Sequence, residues 1–193
     1  SPQNDRVFRW SLAQDAPLNP IWTGDAPAQV AVSQANARLY LGYSSGAITQ
    51  IDLAGASPRE RAFTSTPSSV TGLQTAGPFL FATDPSGAWH SHYTFAPDGT
   101  KLSAVEWNYF SRGFTWSPAN QRMYFTRDDT SPNDLLWEEI DASGTAYASE
   151  PPGGIGTKLD SPLHGSEGFT HPIRVSPDGS VVVLGSGKLH DAA

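Results

Sequence analysis

Ser176-Pro177-Asp178-Gly179-Ser180-Val181-Val182-Val183 sets a tight turn directly against a run of β-branched residues. Pro pre-sets φ for the first turn position, Asp bonds backbone two residues on, and Gly accepts positive φ, while the valines favour a pleated strand. With Val175 ahead of it, the stretch reads as strand, turn, strand. Three other segments align with Asp178-Gly179-Ser180-Val181-Val182-Val183 without gaps: Asn36-Ala37-Arg38-Leu39-Tyr40-Leu41, Ala76-Gly77-Pro78-Phe79-Leu80-Phe81 and Asn120-Gln121-Arg122-Met123-Tyr124-Phe125. Their starts are 40, 44 and 58 residues apart. Val32-Ser33 and Trp116-Ser117 precede two of them as Val175-Ser176 precedes the last, so each unit is expected to open with a β-hairpin.

A third strand follows at a fixed distance. Ala47-Ile48-Thr49-Gln50-Ile51-Asp52-Leu53, Trp89-His90-Ser91-His92-Tyr93-Thr94-Phe95 and Leu136-Trp137-Glu138-Glu139-Ile140-Asp141-Ala142 share one template with a period of two. Fourth strands are expected near residues 60–64, 102–107 and 145–148. Four strands in roughly 40 to 45 residues is the size of a propeller blade, which gives an all-β domain with blades at 28–66, 68–108 and 110–150 and a loop excursion over 150–172. Arg6-Val7-Phe8-Arg9-Trp10-Ser11-Leu12 fits the third-strand template, with Pro20-Ile21-Trp22-Thr23 as a fourth, whereas 170–193 supplies a first, a second and the start of a third strand. About four blades are expected, either closed by a blade split between 5–24 and 170–193 or open as a fragment of a larger propeller. In a closed ring both ends compete for the third-strand position, and an open arc exposes blade edges suited to self-association.

The Ser-Pro-Asp-Gly turn before an apolar strand resembles the bacterial β-propeller repeats of the YVTN and TolB-like kinds. Ser176-Pro177-Asp178-Gly179 matches fully, Ala96-Pro97-Asp98-Gly99 matches out of phase, and Ser117-Pro118-Ala119-Asn120 matches in part. The resemblance implies the fold. It implies no single activity, because propellers serve as scaffolds, receptors, hydrolases and lyases.

Composition agrees with the strand-rich reading: 18 Gly and 16 Pro for turns, and 6 Trp, 6 Tyr and 9 Phe against a single Met. The Trp residues are expected in blade cores and between blades. Twelve basic against 19 acidic side chains, a net charge of −7, give no footprint for a phosphate backbone, so nucleic acid is not an expected partner. No cysteine is present. Apolar runs such as Val181-Val182-Val183-Leu184 fall far short of the roughly 20 residues of a membrane span. Ser1-Pro2-Gln3-Asn4-Asp5 has neither region of a signal peptide, and a chain that does not open on Met reads as a processed or excised piece. Sparse Lys with abundant Ser, Thr, Gly and Asn leans toward an extracellular or periplasmic setting.

Two constellations carry chemistry. His90 and His92 share one strand face at a spacing that suits zinc or copper, with His164 and His171 as further ligands from the excursion, although the repeat template gives both strand positions an ordinary filling role. Arg127-Asp128-Asp129-Thr130-Ser131-Pro132-Asn133-Asp134 is the densest polar loop, rich in the hard oxygens that calcium prefers but without an EF-hand alternation. Loops between second and third strands share one side of a propeller, so Asp84, Asp128, Asp129 and Asp134 are expected to form an acidic ligand or ion face there. Glu138 and Glu139 point to opposite sides of their strand, which excludes them as a paired acid and base. Gly153-Gly154-Ile155-Gly156-Thr157-Lys158 lacks phosphate-loop spacing and reads as a flexible connection, and no Gly-x-Ser-x-Gly elbow occurs. The expected function is a non-catalytic binding or scaffold module of a larger exported protein, without a resident cofactor, that engages a protein or carbohydrate. The rival is a propeller enzyme of the lactonase or lyase kind with a His and carboxylate site on one face of the ring.

Overall fold

The computed structural model describes residues 5–55, 57–127, 132–143, 152–161 and 169–192. Seventeen strands and no helix occur among them. An N-terminal hairpin, β1 (Arg6–Ser11) and β2 (Ala16–Trp22), precedes three four-stranded antiparallel sheets. Blade one holds β3 (Gln29–Ser33), β4 (Arg38–Gly42), β5 (Ala47–Asp52) and β6 (Glu60–Ser65). Blade two holds β7 (Gly72–Ala76), β8 (Phe79–Asp84), β9 (His90–Phe95) and β10 (Lys101–Trp107). Blade three holds β11 (Arg112–Ser117), β12 (Arg122–Arg127), β13 (Asp134–Ile140) and β14 (Ile155–Asp160). A three-stranded sheet of β15 (Arg174–Val175), β16 (Val181–Val183) and β17 (Leu189–Asp191) ends the described chain.

This is an all-β propeller architecture whose sheets do not close. The terminal strands lie in separate sheets, β1–β2 and β15–β16–β17, because β17 occupies the third-strand place beside β16 that β1 would need. Of the two arrangements expected from the sequence, the open one is found.

Alternation sends each second strand into two cores at once. In β4, Leu39 and Leu41 join Val7, Ile21 and Ile51 toward the N-terminal hairpin, while Tyr40 packs with Leu80, Tyr93 and Phe95 of blade two. In β12, Met123 meets Phe81, Phe114 and Ile140, while Tyr124 meets Ile173, Val182 and Leu184 of the last sheet. Strands covered on both faces need near-continuous apolar runs, which explains the repeat core Leu-Tyr-Leu, Phe-Leu-Phe and Met-Tyr-Phe. First strands of successive sheets lie side by side, β3 with β7, β7 with β11 and β11 with β15. Gly72 in β7 permits this approach: a Cβ there would stand 2.6 Å from the Phe114 ring and 2.6 Å from Thr83 Oγ1.

Both Pro-Asp-Gly turns have one construction. Asp178 Oδ1 accepts from Ser180 N at 3.1 Å and from the Ser176 hydroxyl at 2.6 Å, and Gly179 takes φ +75. Asp98 Oδ1 accepts from Thr100 N at 2.9 Å, and Gly99 takes φ +91. The first turn joins β15 to β16 and the second joins β9 to β10, so the out-of-phase match is the same local device used at another corner of the blade.

The fourth strand of blade three departs from expectation. Residues 145–148 lie outside the described residues, and the strand is instead β14, within the stretch read as a loop excursion and a flexible connection. β14 pairs with β13 through Leu136↔Asp160, Trp137↔Leu159 and Glu138↔Lys158. An outer strand needs little apolar content: Ile155 alone is buried, and the rest of β14 is exposed or half-buried.

Candidate functional site

The interface between blades two and three is polar in its upper half. On β9, His90, His92 and Thr94 face blade three while Tyr93 and Phe95 face blade one. On β13, Asp134, Leu136, Glu138 and Ile140 face back toward blade two. His92 meets Glu138 across this boundary, Nδ1 to Oε2 at 2.9 Å, and its Nε2 lies 3.1 Å from the Ser111 hydroxyl. With hydrogen on Nδ1, the imidazole donates to the carboxylate and accepts from Ser111. Trp107 Nε1 donates to Glu138 Oε1, so both carboxylate oxygens are bonded. The Ser111 backbone N–H donates to His90 Nδ1 at 3.0 Å.

Aromatic rings wall the network. Phe81, Phe114 and Phe125 meet the His92 ring edge-on at 5.4, 5.6 and 5.2 Å, and Trp107 lies tilted at 5.8 Å. His92 and Glu138 are fully buried and Ser111 is 3% exposed. Desolvated polar groups need partners, and this set satisfies its own.

Above the network lies a cleft of about 260 Å³ lined by Trp107, Tyr109, Lys158 and Asp160 among others. The Lys158 ammonium stands 5.3 Å over the Trp107 ring, and the Arg127 guanidinium 4.0 Å over Tyr109. Trp89, at the end of the β8–β9 hairpin, packs against Tyr109 and Phe110 at 6.3 and 5.7 Å. Because His90 pairs with Trp107 in the sheet register, the β8–β9 hairpin and the connection from β10 to β11 emerge on the same side. The β12–β13 hairpin joins them there.

The sequence-derived candidates divide as follows. His90, His92 and Asp134 come together at the interface of blades two and three. Asp134 is fully buried and pairs with Arg127, whose Nη2 also donates to Pro132 O at 2.9 Å. Asp84, also buried, faces blade one instead: Oδ2 accepts from Ser68 N at 2.8 Å, and Oδ1 from Ser86 N at 3.1 Å and the Tyr93 hydroxyl at 3.2 Å. Burial first, with the Asp84 charge adding, raises the Tyr93 phenol above its ordinary value, while hydrogen bonds from Ser86 and Ser91 oppose the rise. Asp128, Asp129 and His164 lie outside the described residues. His171 is exposed next to Gly113. Among the described residues, no group of three or more His, Cys, Asp or Glu side chains could hold a metal ion.

Sequence reasoning passed over Ser111, Trp107 and Glu138. Glu138 carries a signal: it sits in the column of Leu136 and Ile140, and a carboxylate in an apolar column implies a buried partner. Ser111 belongs to a connection and has no such mark.

No family of known sequences matches the chain, and no curated protein matches it. Solved structures do. One is Kuenenia stuttgartiensis hydrazine synthase, with TM-score 0.66, 14% identity and coverage of 92% of this chain and 48% of that one. Another is a functionally unknown protein from Desulfotomaculum acetoxidans DSM 771, with TM-score 0.66, 16% identity and coverage of 100% of this chain and 77% of that one. A third is a chain of the nidogen/laminin complex, with TM-score 0.64, 14% identity and coverage of 94% of this chain and 66% of that one. Propeller-type proteins stand among these neighbours, and at such identities the likeness is one of fold. This chain spans about half the length of the hydrazine synthase chain that it matches.

Proposed function

We propose that this chain is a non-catalytic propeller module that holds a protein partner on the face where the β8–β9 and β12–β13 hairpins emerge. The observation that supports it is the pairing of a sealed network with an open aromatic cleft: His92 and Ser111 are closed to solvent, while Trp89, Trp107 and Tyr109 offer rigid rings beside Lys158. Aromatic side chains flanked by cations are enriched where protein surfaces bind, and loops on a rigid scaffold are the usual bearers of binding residues. The nidogen/laminin neighbour was solved in a complex with another protein. An extracellular or periplasmic setting belongs to the same proposal and rests on composition. No helix among the described residues is long and apolar enough to cross a membrane.

Panning a displayed random-peptide library on the immobilised chain tests the proposal, with Trp89→Ala and Tyr109→Ala variants as controls. Selected peptides are expected to bind the parent chain and to lose at least tenfold in affinity on either variant. Peptides indifferent to both substitutions would place the contact elsewhere and overturn the proposal. Binding of oligosaccharides in place of peptides would make the partner a carbohydrate.

The enzyme of the lactonase or lyase kind draws on one observation, the order Glu138, His92, Ser111, in which a carboxylate orients an imidazole that faces a hydroxyl. Burial leaves a substrate no approach to that hydroxyl. Covalent labelling of Ser111 by a fluorophosphonate in the folded protein would reverse the ranking of the two readings.

A further inference from the structure

The first strand of each complete blade except the first is covered by the first strand of the blade before it. β3 has no such cover. Ala31 of β3 is buried toward blade two, but Val30 and Val32 on its other face are 58% and 54% exposed. The neighbouring β1–β2 hairpin stands in the third- and fourth-strand places of a blade, its inner residues Val7 and Ile21 packed on Leu39 and Leu41. β1 is bonded on one side alone, to β2. Its outward Phe8 and Trp10 are 61% and 57% exposed, and the Arg6 guanidinium lies 4.2 Å over the Trp22 ring. Between β1 and β3 opens a cleft of about 300 Å³ lined by Arg6, Phe8, Gln29 and Val30 among others.

The unfilled space beside β1 and over β3 therefore has the outline of a first-and-second-strand hairpin. The opposite end of the chain carries such a hairpin. In β15–β16, Val175 and Val182 pack on blade three, while Arg174 and Val183, paired across the two strands, lie on the other face. The sheet that contains them has no fourth strand.

We propose that the space over β3 receives the β15–β16 hairpin of a second copy of this chain, with β1 pairing to β16 of that copy in place of β17. β17 holds its position through three residue pairs, whereas β1 is six residues long. The junction continues the packing already present between successive blades. It is heterologous, joining one end of a copy to the other end of its partner, so two junctions close a ring. Each copy contributes three complete blades, and the junctions make two composite ones. Eight blades lie at the upper end of the roughly four to eight that propellers use.

Light scattering and sedimentation on the 193-residue chain test this. The expected particle has twice the chain mass of 20.6 kDa, and tryptophan emission shifts to the blue as concentration rises, because Trp10 and Trp22 become covered. Val32→Glu damages one end and Val183→Lys the other, so each variant alone is expected to be a monomer with native circular dichroism. Mixing the two variants restores a dimer, since each supplies the end that the other lacks. A monomer persisting to roughly 100 μM, a concentration that excludes all but very weak association, would overturn the proposal and assign the space to strands of another polypeptide. A dimer untouched by both substitutions, or assemblies longer than two copies, would equally overturn the closed ring.

Discussion

Replacing His92 with Leu keeps a side chain of similar bulk against Phe81, Phe114 and Phe125 but removes both ring nitrogens. Glu138 then retains the Trp107 N–H on one oxygen and loses its partner on the other, and the Ser111 hydroxyl loses its acceptor. A hydrogen bond to a charged group contributes about 1.5 to 3 kcal/mol and a neutral one about 1 kcal/mol. Stripping a buried charge of one partner costs about 3 to 5 kcal/mol. The expected loss is about 3 to 4 kcal/mol, or a fall in the melting midpoint of roughly 10 °C for a chain of this size. Urea unfolding followed by near-ultraviolet circular dichroism reads it directly. The double variant His92→Leu/Glu138→Met removes the stranded carboxylate and fills its place with apolar atoms, so it should recover all but about 1 kcal/mol. A single variant that loses less than about 1 kcal/mol, or a double variant worse than the sum of its parts, would refute the view that this network joins the two blades.

Gly72→Ala should destabilise by about 1 to 3 kcal/mol through overpacking, because its Cβ would meet Phe114 and Thr83 at 2.6 Å; thermal unfolding checks it. Asp178 is held down to about 2, first by the Ser176 hydroxyl and then by the Ser180 amide and hydroxyl. Its contribution to stability is therefore complete above the ordinary carboxylate value and is lost as pH falls toward about 2. Melting midpoints of Asp178→Asn measured from pH 6 to pH 2 should accordingly show a shallower acid decline than the parent chain, with Asp98, lowered by Thr100 in the same way, preserving part of the slope.

The blades were legible because their determinants are local. Turn chemistry at Asp178-Gly179 and apolar runs at Leu39-Tyr40-Leu41 or Met123-Tyr124-Phe125 declare hairpins within a dozen residues. β14 escaped because an outer strand has one face to cover, and Gly156, Thr157 and Lys158 meet that need without a strand-like pattern. The site escaped for a different reason. His92 and Gln50 occupy equivalent template positions, yet Gln50 is half-buried and His92 is sealed, since the facing column of the next blade presents Glu138 to one and nothing comparable to the other. Contacts between residues 46 positions apart depend on how one sheet seats against the next, which a repeat template does not encode.

The His92–Glu138 contact makes the order of the blades consequential. Where neighbouring sheets meet through apolar side chains, as blade one meets blade two, a foreign blade with a suitable greasy face could be inserted or exchanged at little cost. At the next boundary such an exchange would bury a carboxylate opposite hydrocarbon. Duplication, deletion or recombination in this lineage is thereby steered away from the seam between residues 107 and 112, and blades two and three are expected to be inherited together.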